Sequence, residues 1–102
     1  MKKLFKSINV NDMNRDDFLI AYILSEVSDN QYKNQDFINI EIDGYPKEKI
    51  DYHIFLLKDA GFVTVAENKE KREMPVLLTW KGQEYFSSLH KGFFKWIEDL
   101  FS

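Results

Sequence analysis

The segment from Gly61 to Thr79 constrains the fold of this chain more than any other. Phe62-Val63-Thr64-Val65-Ala66 is a short apolar, β-branched run. Glu67 to Glu73 then holds six charges in seven residues, and Met74-Pro75-Val76-Leu77-Leu78 returns. Two such runs about a charged tip predict a β-hairpin. Pro75 has no N–H to give to a ladder, so the returning strand lies at an edge or begins at Pro75. A helix is predicted just before the hairpin. Pro46 suits its first turn, where a missing N–H costs nothing, and Ile50, Ile54 and Leu57 recur at i, i+4 and i+7 with His53, Leu56 and Ala60 beside them. It runs to about Ala60, and Gly61 stops it by accepting a positive φ.

The flanking elements follow from the same periodicity argument. Asn14 is an N-cap candidate with Asp17 three residues on, where a carboxylate suits the positive helix end. Phe18 to Leu24 and Val27 are apolar almost without a gap, and Ser28-Asp29-Asn30 ends the run. A helix over 16–28 that is apolar nearly all round belongs at the centre of a domain or in a dimer interface. Residues 30–36 are polar and read as a loop. Ile38, Ile40 and Ile42 alternate with Asn39, Glu41 and Asp43, the period of a half-buried strand, and Gly44 turns it. After the hairpin Thr79 caps a last helix. Its apolar stripe is Phe86, Leu89, Phe93, Trp96, Ile97, Leu100 and Phe101, and Gly92 is a place for a kink or a close backbone approach. Residues 1–12 read as an N-terminal extension, and 13–102 as a single domain.

Composition excludes several classes of function. The 102 residues contain no cysteine and two distant histidines, so thiolate and His-built metal sites are not expected. A net charge of −3 excludes a strongly basic protein that grips any polyanion. The charge is uneven: residues 1–45 carry it all, and 46–102 hold nine basic and nine acidic side chains. Seven of the sixteen aromatics lie between Trp80 and Phe101, more apolar surface than a core of this size needs, which points to a partner. No apolar run is long enough to span a membrane. The start lacks the apolar region of a secretory signal, so the cytoplasm is the expected location. Nucleophile elbows, phosphate loops, metal spacings and dinucleotide fingerprints are absent, so the expectation is no enzyme, no cofactor, no metal and no small-molecule substrate.

The predicted order is helix, strand, helix, β-hairpin, C-terminal helix. A helix leading through a glycine into a charged hairpin is the second half of a winged helix-turn-helix. There the helix enters the DNA major groove and the hairpin, the wing, touches phosphates or the minor groove. The expected class is therefore α+β, winged helix-turn-helix-like. Leu57-Lys58-Asp59-Ala60-Gly61-Phe62-Val63 resembles the junction after the recognition helix of bacterial winged-helix regulators. Leu78-Thr79-Trp80-Lys81-Gly82 resembles the opening of the helix that follows the wing. Asn14-Arg15-Asp16, Leu19-Ile20, Ile23-Leu24, Asp43-Gly44-Tyr45, Ile50, Tyr52-His53, Leu56-Leu57, Asp59-Ala60-Gly61 and Leu78-Thr79-Trp80-x-Gly82 also fall, in order, as in a bacterial and phage family of unknown function, numbered 2513. The resemblance covers about residues 13–90. It implies a winged-helix-like fold and residence in prophages or mobile elements, and no activity. The chain departs from that family in its extension over 1–12, in apolar Ala21-Tyr22, and in a more aromatic tail. It also reads as strand and turn over 37–46, where a full helix-turn-helix has a scaffold helix.

Two functions from different classes stay open. A DNA-binding accessory or transcriptional regulator would use Lys47 and Lys49 on the helix and Lys69, Lys71 and Arg72 on the wing, with Arg72 the foremost. A protein-interaction module would use Tyr52 and Phe55, and Phe93, Trp96 and Leu100 on the tail. The helix 47–60 carries three basic and three acidic groups, and a neutral helix gains little from phosphates. A homodimer is expected from the apolar surplus. His53 reads as a packed histidine with one satisfied nitrogen, and Trp80 as a cover for the hairpin.

Overall fold

A computed structural model describes residues 14–33 and 35–89 of the chain. Over the described residues the fold is α+β, with three helices and a two-stranded antiparallel hairpin. Helix α1 spans Asp17–Asn30. Its cap is Asp16, not the expected Asn14: Asp16 has extended backbone and its Oδ1 accepts from Leu19 N–H at 3.1 Å. Two further residues continue the helix past Ser28, and the Gln31 N–H closes it on Val27 O. Leu19, Ile20, Ile23, Leu24 and Val27 are buried, which makes α1 the centre of the core, packed on α2 and the hairpin. Phe18, at its start, is exposed.

The expected strand over 37–43 does not form. Its alternation survives as burial, with Ile38 and Ile40 in the core and Asn39 and Glu41 in solvent. The hydrogen bonding does not, since one backbone bond, Ile38 N–H to Pro75 O at 2.8 Å, ties the segment to the hairpin. Pro75 supplies the physical reason, because it has a carbonyl to accept but no N–H to return, and a ladder cannot start there.

Helix α2 spans Lys47–Asp59 and follows a turn with Gly44 at φ 88°. Pro46 is its cap residue rather than part of its first turn, and its carbonyl accepts from Lys49 and Ile50. Its C-terminus closes in a Schellman motif. Gly61, at φ 80°, gives its N–H to Lys58 O, and Phe62 gives its N–H to Leu57 O. The reversal leads directly into β1, Val63–Glu67, which pairs with β2, Glu73–Leu78. Thr64 pairs with Leu77 and Val65 with Pro75, leaving Val76 as a bulge residue. Pro75 thus sits inside β2, at the irregularity rather than at the first position.

Thr79 then starts α3, residues 80–89 of the described chain. Its Oγ1 accepts from Gly82 N–H at 2.9 Å, as an N-cap should, and donates to Gly61 O at 2.6 Å. Thr79 N–H also bonds Phe62 O at 3.0 Å. One residue therefore caps α3 and ties it to the reversal after α2. Gly82 is buried against that reversal, and a Cβ there would stand 1.9 Å from Phe62 O. Trp80, expected over the hairpin, is 79% exposed. Phe62 and Tyr85 pack against the core instead, stacked with ring centroids 4.5 Å apart. The extension over 1–12, Gly92, and the tail positions Phe93, Trp96 and Leu100 lie outside the described residues.

Candidate functional site

Two ion pairs fasten the hairpin to α2. Arg72, at the end of the tip, reaches Asp51 in the second turn of α2. Its Nε donates to Oδ1 and Oδ2 at 3.0 Å each, and its Nη2 to Oδ1 at 2.7 Å. This is the two-pronged geometry in which a guanidinium holds a carboxylate most firmly. Nη1 adds a longer contact to Glu70 at 3.5 Å. Asp51, by its hydrogen bonds and its charge, raises the Arg72 pKa above its ordinary value, against the opposing pull of burial. Lys58, in the last turn of α2, meets Glu73 at 2.8 Å. The tip between them shapes itself. Asn68 Oδ1 accepts from the N–H groups of Glu70 and Arg72, and Asn68 N–H bonds Arg72 O.

These pairs redistribute the five basic residues expected to meet nucleic acid. The Arg72 side chain is only 18% exposed and is held by Asp51. Lys49 turns inward, 3.3 Å from Asp16 Oδ2 and over the Tyr45 ring. Lys47, Lys69 and Lys71 are exposed and make no ion pair among the described residues. They share one end of the molecule: Lys47 lies one turn before Asp51, on the same face of α2, and Lys69 and Lys71 lie in the tip that Arg72 anchors there. The outward face of α2 also carries Glu48 and Asp59, both exposed, and Phe55, 49% exposed. Tyr52 is half-buried, edge-on to His53.

Sequence reasoning missed a buried polar hub beneath this end. His53 is fully buried, and both ring nitrogens are satisfied rather than one. Nδ1 lies 2.8 Å from Lys49 O, and Nε2 lies 2.8 Å from the Asp16 N. A carbonyl can only accept and a backbone N–H can only donate, so the proton sits on Nδ1 and the lone pair on Nε2. Burial by itself pushes the Asp16 carboxyl up. The Leu19 N–H, the Lys49 ammonium and the Phe18 N–H together outweigh it and hold the carboxyl below its ordinary 3.8. The Lys49-to-His53 spacing signalled the local contact. The reach from α2 to the start of α1, across 37 residues, had no local signal. Among the described residues no group of His, Asp or Glu is arranged to hold a metal.

Residues 14–92 match the family described as Hypothetical protein (DUF2513). No curated protein and no solved structure matches the chain.

Proposed function

Because this chain belongs to that family, whose description names no activity, we propose a function from its residues: a non-catalytic, winged-helix-type protein that holds duplex DNA by its phosphates, as an accessory or transcriptional regulator of a phage or mobile element. It acts in the cytoplasm as a homodimer. The Arg72–Asp51 bridge carries the reading. It marks the hairpin tip as standing beside the N-terminal half of α2, where Lys58–Glu73 and the strand pairing also hold it, so Lys47, Lys69 and Lys71 lie at one end with no competing ion pair among the described residues. The positive end of the α2 dipole adds to their attraction for phosphate. Glu48, Asp51 and Asp59 on the outward helix face oppose entry of that face into a groove, so the contacts are to the backbone and low in sequence specificity.

Three phosphate contacts set a measurable expectation. The logarithm of the association constant should fall with the logarithm of salt at a slope of about −2.7, which is roughly a 40-fold loss between about 50 and 200 mM. Substituting Lys47, Lys69 or Lys71 by Ala should lower the slope by about 0.9 each. Fluorescence anisotropy on a labelled mixed-sequence duplex measures this, and no binding at the lowest salt overturns the proposal. The homodimer is tested by light scattering after size exclusion, where a monomer at tens of micromolar refutes it.

A second reading, a protein-interaction module on the same scaffold, is favoured by the exposed Phe55 ring between Glu48 and Asp59. It expects Phe55→Glu to keep the fold and lose a partner in a pull-down, and retained capture counts against it.

A further inference from the structure

We propose that Asp51 acts as a built-in substitute for phosphate: it occupies the Arg72 guanidinium, keeps it out of the polyanion contact, and so limits the affinity of this end of the molecule. The inference rests on the phosphate-contact reading above and adds a regulating residue to it. A carboxylate and a phosphate each offer a guanidinium a pair of oxygens that it can hold bidentately. Arg72 engages Asp51 in that two-oxygen mode, with three contacts of 2.7–3.0 Å. It is also the one cation of the tip that is so engaged, while Lys69 and Lys71, just before it in the chain, carry no ion pair among the described residues. Asp51 is 39% exposed, so the shared edge of the pair is open to solvent and to an arriving anion.

The bridge can be released without dismantling the tip. Asn68 shapes the turn through its own side chain and backbone. Lys58–Glu73 and the strand pairing of β1 with β2 hold the hairpin in place independently. Removing the Asp51 charge therefore leaves Arg72 only its long 3.5 Å contact with the exposed Glu70 and adds a fourth cation to the exposed Lys47, Lys69 and Lys71.

The test is a double-mutant cycle read as salt slopes on the mixed-sequence duplex, with circular dichroism to establish that each variant is folded. Asp51→Asn should steepen the slope by about 0.9, an added loss of roughly 3.5-fold between about 50 and 200 mM. Arg72→Gln alone should leave the slope of the parent protein unchanged. Arg72→Gln in the Asp51→Asn background should return the slope to the parent value. A gain that came merely from deleting a negative charge would survive Arg72→Gln, and that result overturns the proposal. So does an unchanged slope for Asp51→Asn, or a slope reduced by about 0.9 for Arg72→Gln alone, which would place Arg72 on phosphate already; in both cases the DNA reading itself stands. If only Asp51→Asn binds, and does so through Arg72, the reading of the parent protein fails and this inference holds. If neither binds duplex, inorganic pyrophosphate replaces it. Movement of the Arg72 Nε–H resonance in Asp51→Asn but not in the parent supports the inference, and movement in neither overturns it.

Discussion

Substituting Gly82 by alanine isolates the junction that joins α2, the hairpin and α3. Inside a helix this change normally stabilises, by about 1 kcal/mol, because alanine has less backbone freedom to lose. Here the added Cβ would lie 1.9 Å from Phe62 O, 2.8 Å from its carbonyl carbon and 3.1 Å from its Cα. All three are backbone atoms and cannot rotate aside. Ordinary contact begins at 3.4 Å, so α3 and the reversal must separate by about 1.5 Å. The same two pieces of backbone are joined by Thr79 N–H to Phe62 O at 3.0 Å and Thr79 Oγ1 to Gly61 O at 2.6 Å, and neither bond survives that opening. Overpacking costs about 1–3 kcal/mol and two lost hydrogen bonds about 1 kcal/mol each. Against the propensity gain, the net destabilisation is about 2–4 kcal/mol. For a domain of this size that lowers Tm by about 10–20 °C. Thermal unfolding followed by far-ultraviolet circular dichroism measures it. Gly61→Ala is the internal comparison: nothing lies within 4 Å of its added Cβ, and only the positive φ of 80° is penalised, at about 1–2 kcal/mol. A Gly82→Ala protein that melts at or above the parent temperature, or above Gly61→Ala, would show that Phe62 O does not set the packing limit.

Substitutions at three further residues probe the hub and the outward helix face. His53→Leu leaves the Asp16 N–H without a partner and the Lys49 carbonyl with only its helical one, and should cost about 1–3 kcal/mol by urea denaturation; His53→Gln, which can both donate and accept, should recover part of it, and equal losses would refute the hydrogen-bond account. Asp16→Ala should cost about 1 kcal/mol through the lost α1 cap. Asp16→Asn keeps an oxygen for Leu19 N–H but removes the charge beside Lys49. Because the Asp16 carboxyl is held below 3.8 in the folded protein, its stabilisation is present above that pH and is lost as the pH falls through the folded value. The acid limb of stability should therefore be shallower in Asp16→Asn, and an unchanged limb would contradict it. Phe55→Glu should shift stability by no more than about 0.5 kcal/mol, since half of the ring is already in water; a large loss would mean that the ring is part of the core.

Much of the fold was legible because its signals are local. The spacing of Ile50, Ile54 and Leu57, the Gly61 stop, the charged turn between two apolar runs and the Thr79 cap each depend on a few neighbouring residues, and each appears where expected. The errors arise where a local signal is ambiguous. Asn14 and Asp16 are both competent caps, and what distinguishes them is that the Asp16 N–H is taken by His53. Residues 37–43 alternate as a strand does, but alternation reports which side is buried and not whether a ladder has partners. The candidate site was legible in composition and not in arrangement. Five basic residues were visible, yet which of them remain available to a partner depends on Asp51 and Asp16, contributed by other elements.

The sequence by itself determined the hairpin, the helix before it, the central place of α1 as one of two alternatives, and the near-neutral charge of the half that contains the candidate site. Those follow from periodicity, turn chemistry and counting, which need no knowledge of distant contacts. Only the tertiary structure decided that His53 holds the start of α1, that Gly82 is required by a carbonyl twenty residues away, and that Arg72, the cation most expected to meet phosphate, is already held by a carboxylate. Each of these depends on two groups brought together by the packing of separate elements. A side chain's type states what it can bond, and the packing alone states what lies within reach.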